Sequence, residues 1–138
     1  MRIKYEELEN KFKEILESRG FSEDNAKAAA GVFAKNSLDG IYSHGVNRFP
    51  RVINYLDKGE IDPSAIATVE LKMGAFERWN GHRGFGPLNA TLAMDRACEL
   101  AKENGIGIVA LGNNNHWMRG GTYGSQAAEK GCIGICWS

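Results

Sequence analysis

The chain has no excess of charge of either sign: its 138 residues carry 17 basic and 17 acidic side chains, and the sequence pI is about 6.8. A neutral chain without a basic stripe gives no electrostatic footprint for nucleic acid. It also lacks an apolar run long enough to span a bilayer. The start, Met1-Arg2-Ile3-Lys4-Tyr5-Glu6-Glu7, lacks the apolar core of a signal peptide. A cytoplasmic protein is the default expectation. Cysteine is scarce, and the three thiols Cys98, Cys132 and Cys136 form neither an even set nor a paired spacing, which argues against a disulfide framework. Cys132 and Cys136 would share one face of a strand. They read as two buried thiols, because no His-rich or carboxylate cluster supplies further ligands; no zinc or other metal is expected.

What the chain has in plenty is glycine: 17 residues, twelve of them between Gly74 and Gly134, against about ten for an average composition of this length. That half turns sharply, or brings its backbone close to something.

The first half reads as helical. Tyr5, Leu8, Phe12, Ile15 and Leu16 recur at helical spacing, and Gly20 stands where that helix would end. Ser22 caps a second helix, with Glu23 and Asp24 favourable in its first turn. Ala26, Ala29, Ala30 and Phe33 give it a small-residue face for close packing, and it stops near Gly40. A third helix is expected over about 47–58, with Val52, Ile53 and Leu56 inward. Pro50 is tolerable only in its first turn. Ser43-His44-Gly45 then lies in a turn just before it.

After Asp62-Pro63 the pattern changes. Ala67 to Leu71 alternates as a strand, Gly74 offers a turn, and Ala75 to Asn80 returns. Gly81 to Gly86 is a glycine-rich loop. Pro87 opens a helix with Leu88, Leu92, Ala93, Ala97 and Leu100 on its apolar face and Gly105 at its end. Ile106 to Leu111 reads as a buried strand, Gly112 to Gly121 as a polar loop, Thr122 to Lys130 as a helix, and Cys132 to Trp137 as another strand. The fold class is α+β: a helical N-terminal segment, 1–62, followed by a mixed sheet backed by helices, 63–138. Because the chain stops at the last expected strand, an incomplete core is expected, with more sheet to follow.

Three stretches could carry chemistry. In Ser43-His44-Gly45-Val46-Asn47-Arg48 an imidazole sits in a bend between helices, with a hydroxyl beside it and a guanidinium four residues on. Reduction of a keto acid needs a hydride source, a proton donor and a cation for the carboxylate. Imidazole titrates near neutrality and suits the second task. The planar fork of Arg48 suits the third. Ser43 fits a bond to the substrate oxygen, orientation of the ring, or a plain turn. The second stretch, Gly81-His82-Arg83-Gly84-Phe85-Gly86-Pro87, does not have Gly-x-Gly-x-x-Gly spacing, and Pro87 removes an amide from the helix start. It reads as a tight turn packing a helix close to the sheet, with His82 on the surface. The third, Gly112 to Gly124, follows a strand and precedes a helix, where ligands collect. Asn, His, Trp, Arg and Gly there supply donors, an aromatic plate and helix-start amides. Trp117 and Arg119 both read as displayed.

Taken together, Ser43-His44-Gly45-x-x-Arg48, Gly81 to Pro87, and Asn115-His116-x-x-x-Gly120-Gly121-x-Tyr123 resemble the malate/L-lactate dehydrogenase family of the second type, which is unrelated to the Rossmann lactate and malate dehydrogenases. His116-Trp117-Met118-Arg119 resembles a branch that reduces a diketo sugar acid. The resemblance implies a non-Rossmann α+β fold, a homodimer, and NAD(H) as cofactor, with NADP(H) as the alternative. By the same resemblance His44, with Ser43, is catalytic, and Arg48 and His116 bind the keto acid. His116, Trp117, Met118, Arg119, Gly120, Gly121 and Thr122 would line the cofactor.

Overall fold

The computed structural model describes residues 2–138. The chain divides into two compact units, Met1–Ser64 and Ala65–Ser138, each considered by itself.

The first unit is helical: α1 (Tyr5–Glu17), α2 (Glu23–Leu38), a 3-10 turn at Tyr42–His44, and α3 (Phe49–Asp57). Ser22 caps α2 by accepting a bond from the Asn25 amide, as its position before Glu23 and Asp24 led one to expect. Ala26, Ala29 and Ala30 are fully buried and let α1 and α2 lie close together. The core is aromatic. Phe12 stacks on Phe49 with ring centroids 4.0 Å apart, and Phe33 meets Phe49 edge-on at 5.1 Å. Such pairs add about 0.5–1.5 kcal/mol to the burial of their area. Phe49 was not among the expected core residues. It precedes Pro50, which sits in the first turn of α3 as required.

The second unit holds β1 (Thr68–Met73), β2 (Phe76–Asn80), α4 (Gly86–Asn104), β3 (Ile108–Gly112) and α5 (Gly120–Glu129). The sheet order is β1-β2-β3, with β1/β2 antiparallel and β2/β3 parallel. It is the mixed, helix-backed sheet that the pattern indicated. A bulge interrupts β1 between Val69 and Leu71. Helix α4 makes the crossover between the parallel pair, and Gly105 ends it in the left-handed conformation.

Four expectations fail here. β3 is not buried: its residues alternate between exposed and half-buried, since α4 covers one face and the described residues leave the other open. Cys132 to Trp137 joins no strand pair, and Ile133, Ile135 and Trp137 stand out from the unit. Cys132 and Cys136 are half-buried rather than buried, although they do share a side. In α4, Leu92 points outward and Asn89 takes the inner position, fully buried. A run of apolar residues shows which surfaces need cover, not whether the chain supplies it.

The second unit also buries a carboxylate. Glu77 on β2 is 1% exposed. It accepts two bonds from Arg96 of α4, at 3.0 and 2.9 Å, and one from the Trp79 ring nitrogen at 2.8 Å. The Arg96 guanidinium holds the Glu77 carboxyl below its ordinary value, against the opposing effect of burial. A buried charge is tolerated only when paired in this way. Among the described residues no buried side-chain polar atom lacks a partner.

Candidate functional site

The 41–48 segment is built by helix α2. Asn36 and Ser37 lie three and four residues after Phe33, so they fall on the inward face at the end of the helix. The Asn36 amide, 2% exposed, donates to the His44 carbonyl at 3.0 Å. Ser37 accepts from the Val46 amide at 2.9 Å and donates to the Phe33 carbonyl at 2.7 Å. Between these two pins, Gly45 passes so close to α2 that a Cβ there would stand 2.8 Å from the Ser37 backbone nitrogen. Only glycine fits. The 3-10 turn closes with the His44 amide on the Ile41 carbonyl and the Gly45 amide on the Tyr42 carbonyl.

His44 is half-buried at the end of that turn. Its Nδ1 lies 3.0 Å from the Ser43 hydroxyl, within hydrogen-bond distance. Ser43 thus touches the imidazole. Arg48, also half-buried, is the residue from which α3 starts, and its carbonyl accepts from the Val52 amide.

In the second unit the glycine-rich turn and the asparagine loop are one assembly. The Gly81 amide bonds to the Gly112 carbonyl and the Arg83 amide to the Asn113 carbonyl, both at 2.8 Å. Asn89 of α4 donates to the Gly81 carbonyl at 3.1 Å and to the Asn114 side chain at 3.0 Å, and accepts from the Ala67 amide at 2.8 Å. Asn115 donates to the Arg83 carbonyl at 2.7 Å. A Cβ at Gly86 would overlap the carbonyl oxygens of Asn115 and His116. Gly81 and Gly86 therefore admit the asparagine loop, Gly84 lies against Asn89 of α4 and the Ala65 carbonyl, and the asparagines hold backbone. Neither Asn89 nor Asn36 was singled out in the sequence. The available signal was their spacing on helical inner faces, Phe85-Asn89-Ala93 and Phe33-Asn36.

From His116 onward the loop turns outward. His116 is exposed, and its Nδ1 accepts the Met118 amide at 2.9 Å. A neutral ring with a lone pair at Nδ1 carries its proton on Nε2. The Trp117 and Tyr123 rings stack nearly parallel, 5.2 Å apart, and the Tyr123 hydroxyl donates to the Trp117 carbonyl. Burial raises the Tyr123 pKa well above its ordinary value, so this donor keeps its proton. Trp117 and Arg119 are half-buried, not displayed. Met118 is a second correction: the residue is 5% exposed, its φ is +68°, and its amide is taken by His116. Arg119 starts α5, and its guanidinium folds back along Gly121. His82, expected on the surface, is exposed and bonds through Nε2 to the Thr68 hydroxyl.

The charge of this stretch is of one sign. Residues 113–123 contain a guanidinium and an imidazole but no carboxylate. The amides of Gly120 and Gly121 open a helix, where negative charge is favoured. A Cβ added at Gly120 would meet only ordinary contacts at 3.7 Å and beyond, and one at Gly124 would meet nothing. Among the described residues no cluster of His, Cys, Asp and Glu could hold a metal, and no helix is long and apolar enough to cross a membrane.

Comparison with known proteins bears on the whole of this arrangement. Residues 3–138 match the family model for malate/L-lactate dehydrogenase. The 2,3-diketo-L-gulonate reductase of Mannheimia succiniciproducens is 57% identical over all of this chain, which spans 42% of that protein. The sulfolactate dehydrogenase of Methanocaldococcus jannaschii superposes with a TM-score of 0.90 at 33% identity, over 94% of this chain and 38% of that one. The malate dehydrogenase of Pyrococcus horikoshii gives a TM-score of 0.90 at 30% identity, over 95% and 38%. The chain thus spans about two fifths of the length of these relatives, and it belongs to the malate/L-lactate dehydrogenase family.

Proposed function

We propose that this chain is part of an NADH-dependent 2-keto-acid reductase that converts 2,3-diketo-L-gulonate to 3-keto-L-gulonate, with His44 as the proton donor. The observation that carries the reading is the pinned turn. Asn36 and Ser37 fix the backbone on both sides of Gly45, and Ser43 holds Nδ1 of the ring. In the imidazolium, Nδ1–H donates a hydrogen bond to the Ser43 hydroxyl, and Nε2 hands its proton to the ketone oxygen. Arg48 grips the substrate carboxylate in two places. His116, a donor at Nε2 when neutral, bonds the substrate or the nicotinamide amide. The reduced nicotinamide, when bound, supplies the hydride that completes the reduction. Arg119, the Gly120 and Gly121 amides and the Thr122 hydroxyl take its anionic groups, the buried Met118 backs the loop behind them, and Trp117, stiffened by Tyr123, is an apolar wall. In this reading 1–62 is the helical segment of the enzyme and 63–138 the first part of its core domain. NADP(H) is the alternative cofactor. The enzyme is a cytoplasmic homodimer without a nucleic-acid or membrane partner.

The choice of diketo-gulonate rests on the reductase that is 57% identical. A second reading keeps the chemistry and changes the acid, because a malate and a sulfolactate dehydrogenase share the fold at a TM-score of 0.90. Purified protein is offered 2,3-diketo-L-gulonate, oxaloacetate, pyruvate and sulfopyruvate with NADH and with NADPH, and the loss of absorbance of the reduced cofactor is followed. Fastest turnover with the diketo acid and NADH is expected. His44→Ala should lower that rate by roughly a hundred- to ten-thousandfold, the usual worth of general acid catalysis. A variant with near-normal rate would remove His44 from the role.

A further inference from the structure

One peptide group of the second unit is held at both of its polar ends. Among the described residues, four that are not glycine have a positive φ: His82, Arg83, Asn113 and Met118. Asparagine and histidine visit that region far more readily than a long apolar side chain does. Met118, at +68°, is therefore strained, and such strain persists only where neighbours impose it. The neighbours are identifiable. The Trp117 carbonyl and the Met118 amide form one planar group. Its carbonyl accepts from the Tyr123 hydroxyl, and its amide donates to Nδ1 of His116 at 2.9 Å. Tyr123 is 1% exposed and also stacks on the Trp117 ring, whereas His116 is exposed. Turning the plane over by half a turn would leave the path of the chain nearly unchanged. It would alter ψ of Trp117 and carry φ of Met118 to about −112°, in the extended region that any residue adopts.

We propose that His116 and Tyr123 are positioning residues that together clamp the Trp117–Met118 peptide in its strained orientation, and that this peptide turns over when either bond is lost. The clamp uses Nδ1 of His116, so it fixes the ring as well as the backbone. Arg119 and the first amides of α5 follow the clamped peptide directly, so its orientation sets how the chain enters that helix. A consequence for binding rests on the reading of 116–122 as the wall of the cofactor site. A loop that is clamped only part of the time binds NADH with an apparent dissociation constant equal to the intrinsic one divided by the clamped fraction. Tyr123, buried behind the loop, then tunes cofactor affinity without touching the cofactor.

The test reads the peptide itself. In isotope-labelled protein, the NMR cross-relaxation between the Met118 amide proton and its own α-proton is measured. It is strong at positive φ, where the two hydrogens are nearly eclipsed, and weak in the extended region. A strong signal is expected in the unsubstituted protein. It should persist in His116→Asn, because an asparagine oxygen accepts from the amide two residues on, as it does in turns. It should weaken in His116→Ala and in Tyr123→Phe, and the Met118 amide resonance should shift in both. NADH titrations followed by fluorescence should show Tyr123→Phe weakened by the factor that its loss of clamped population implies. A signal that stays strong in His116→Ala or in Tyr123→Phe, or one that is lost in His116→Asn, would overturn the proposal. So would a Tyr123→Phe variant whose peptide turns over while NADH binds as it does to the unsubstituted protein. If the unsubstituted protein bound no NADH, the cofactor reading would fail instead, and the Met118 signal would still decide the clamp.

Discussion

The two stretches that bear the proposed chemistry are held in different ways. The His44 turn depends on short-range contacts: its pins, Asn36 and Ser37, lie within nine residues of the groups they hold, all on the end of one helix. The loop before His116 depends on distant ones. Asn89 reaches 22 residues back to Ala67 and 25 forward to Asn114, and Asn115 reaches back 32 residues to Arg83. A turn made by its neighbouring helix forms when that helix forms. A loop made by side chains from three elements is correct only when the whole unit is. The contrast predicts that damage to the first stays local and damage to the second spreads.

The sharpest way to break this contrast is Asn89→Ala. It removes the partner of the Ala67 amide and of the Asn114 side-chain oxygen, each orphan costing roughly 1–3 kcal/mol, and one of the two bonds to the Gly81 carbonyl, which keeps the Gly84 amide. Urea unfolding should show a loss of about 3 kcal/mol or more, with the NMR signals of residues 81–86 and 113–118 shifting as a group. Gly86→Ala comes next. Its Cβ would overlap the Asn115 and His116 carbonyls, so a loss of about 1–3 kcal/mol is expected, the usual range for overpacking. Smallest is Asn36→Ala, which removes one bond to the His44 carbonyl, worth about 1 kcal/mol. Its shifts should stay within residues 36–48. If they reach the aromatic core, the pin is not local.

Acid offers a test confined to the second unit. The Glu77 carboxyl has a folded pKa below its ordinary value of 4.5. Its contribution to stability is therefore fully present above that value and is lost as pH falls toward the folded pKa. Stability should be insensitive to this group near neutrality and drop below about pH 4.5, as seen in urea midpoints across pH. Glu77→Gln should flatten that acid limb, at the cost of a lower midpoint at neutral pH because Arg96 loses its partner.

Much of the frame was legible before any coordinates. Periodicity located α1 and α2, Pro50 bounded the start of α3, and Gly105 marked the end of α4, because each depends on neighbours within a turn or two. The failures share a cause. Leu92 and Asn89 exchange places because Asn89 has partners that no window of sequence reveals. The run Ile106–Leu111 was assigned to the interior, yet in β3 one face lies open. Trp117 reads from the sequence as displayed, yet Tyr123, six residues on, stacks against it.

By itself the sequence determined the order and type of most elements, the turn that carries His44, and the family, since motif order and helical spacing are properties of the chain. Tertiary structure alone decided which polar side chains became fasteners, that Glu77 is buried against Arg96, and that Gln126 ties α5 to α4. Those outcomes depend on atoms brought together from distant positions, and such proximity exists only once the elements have packed.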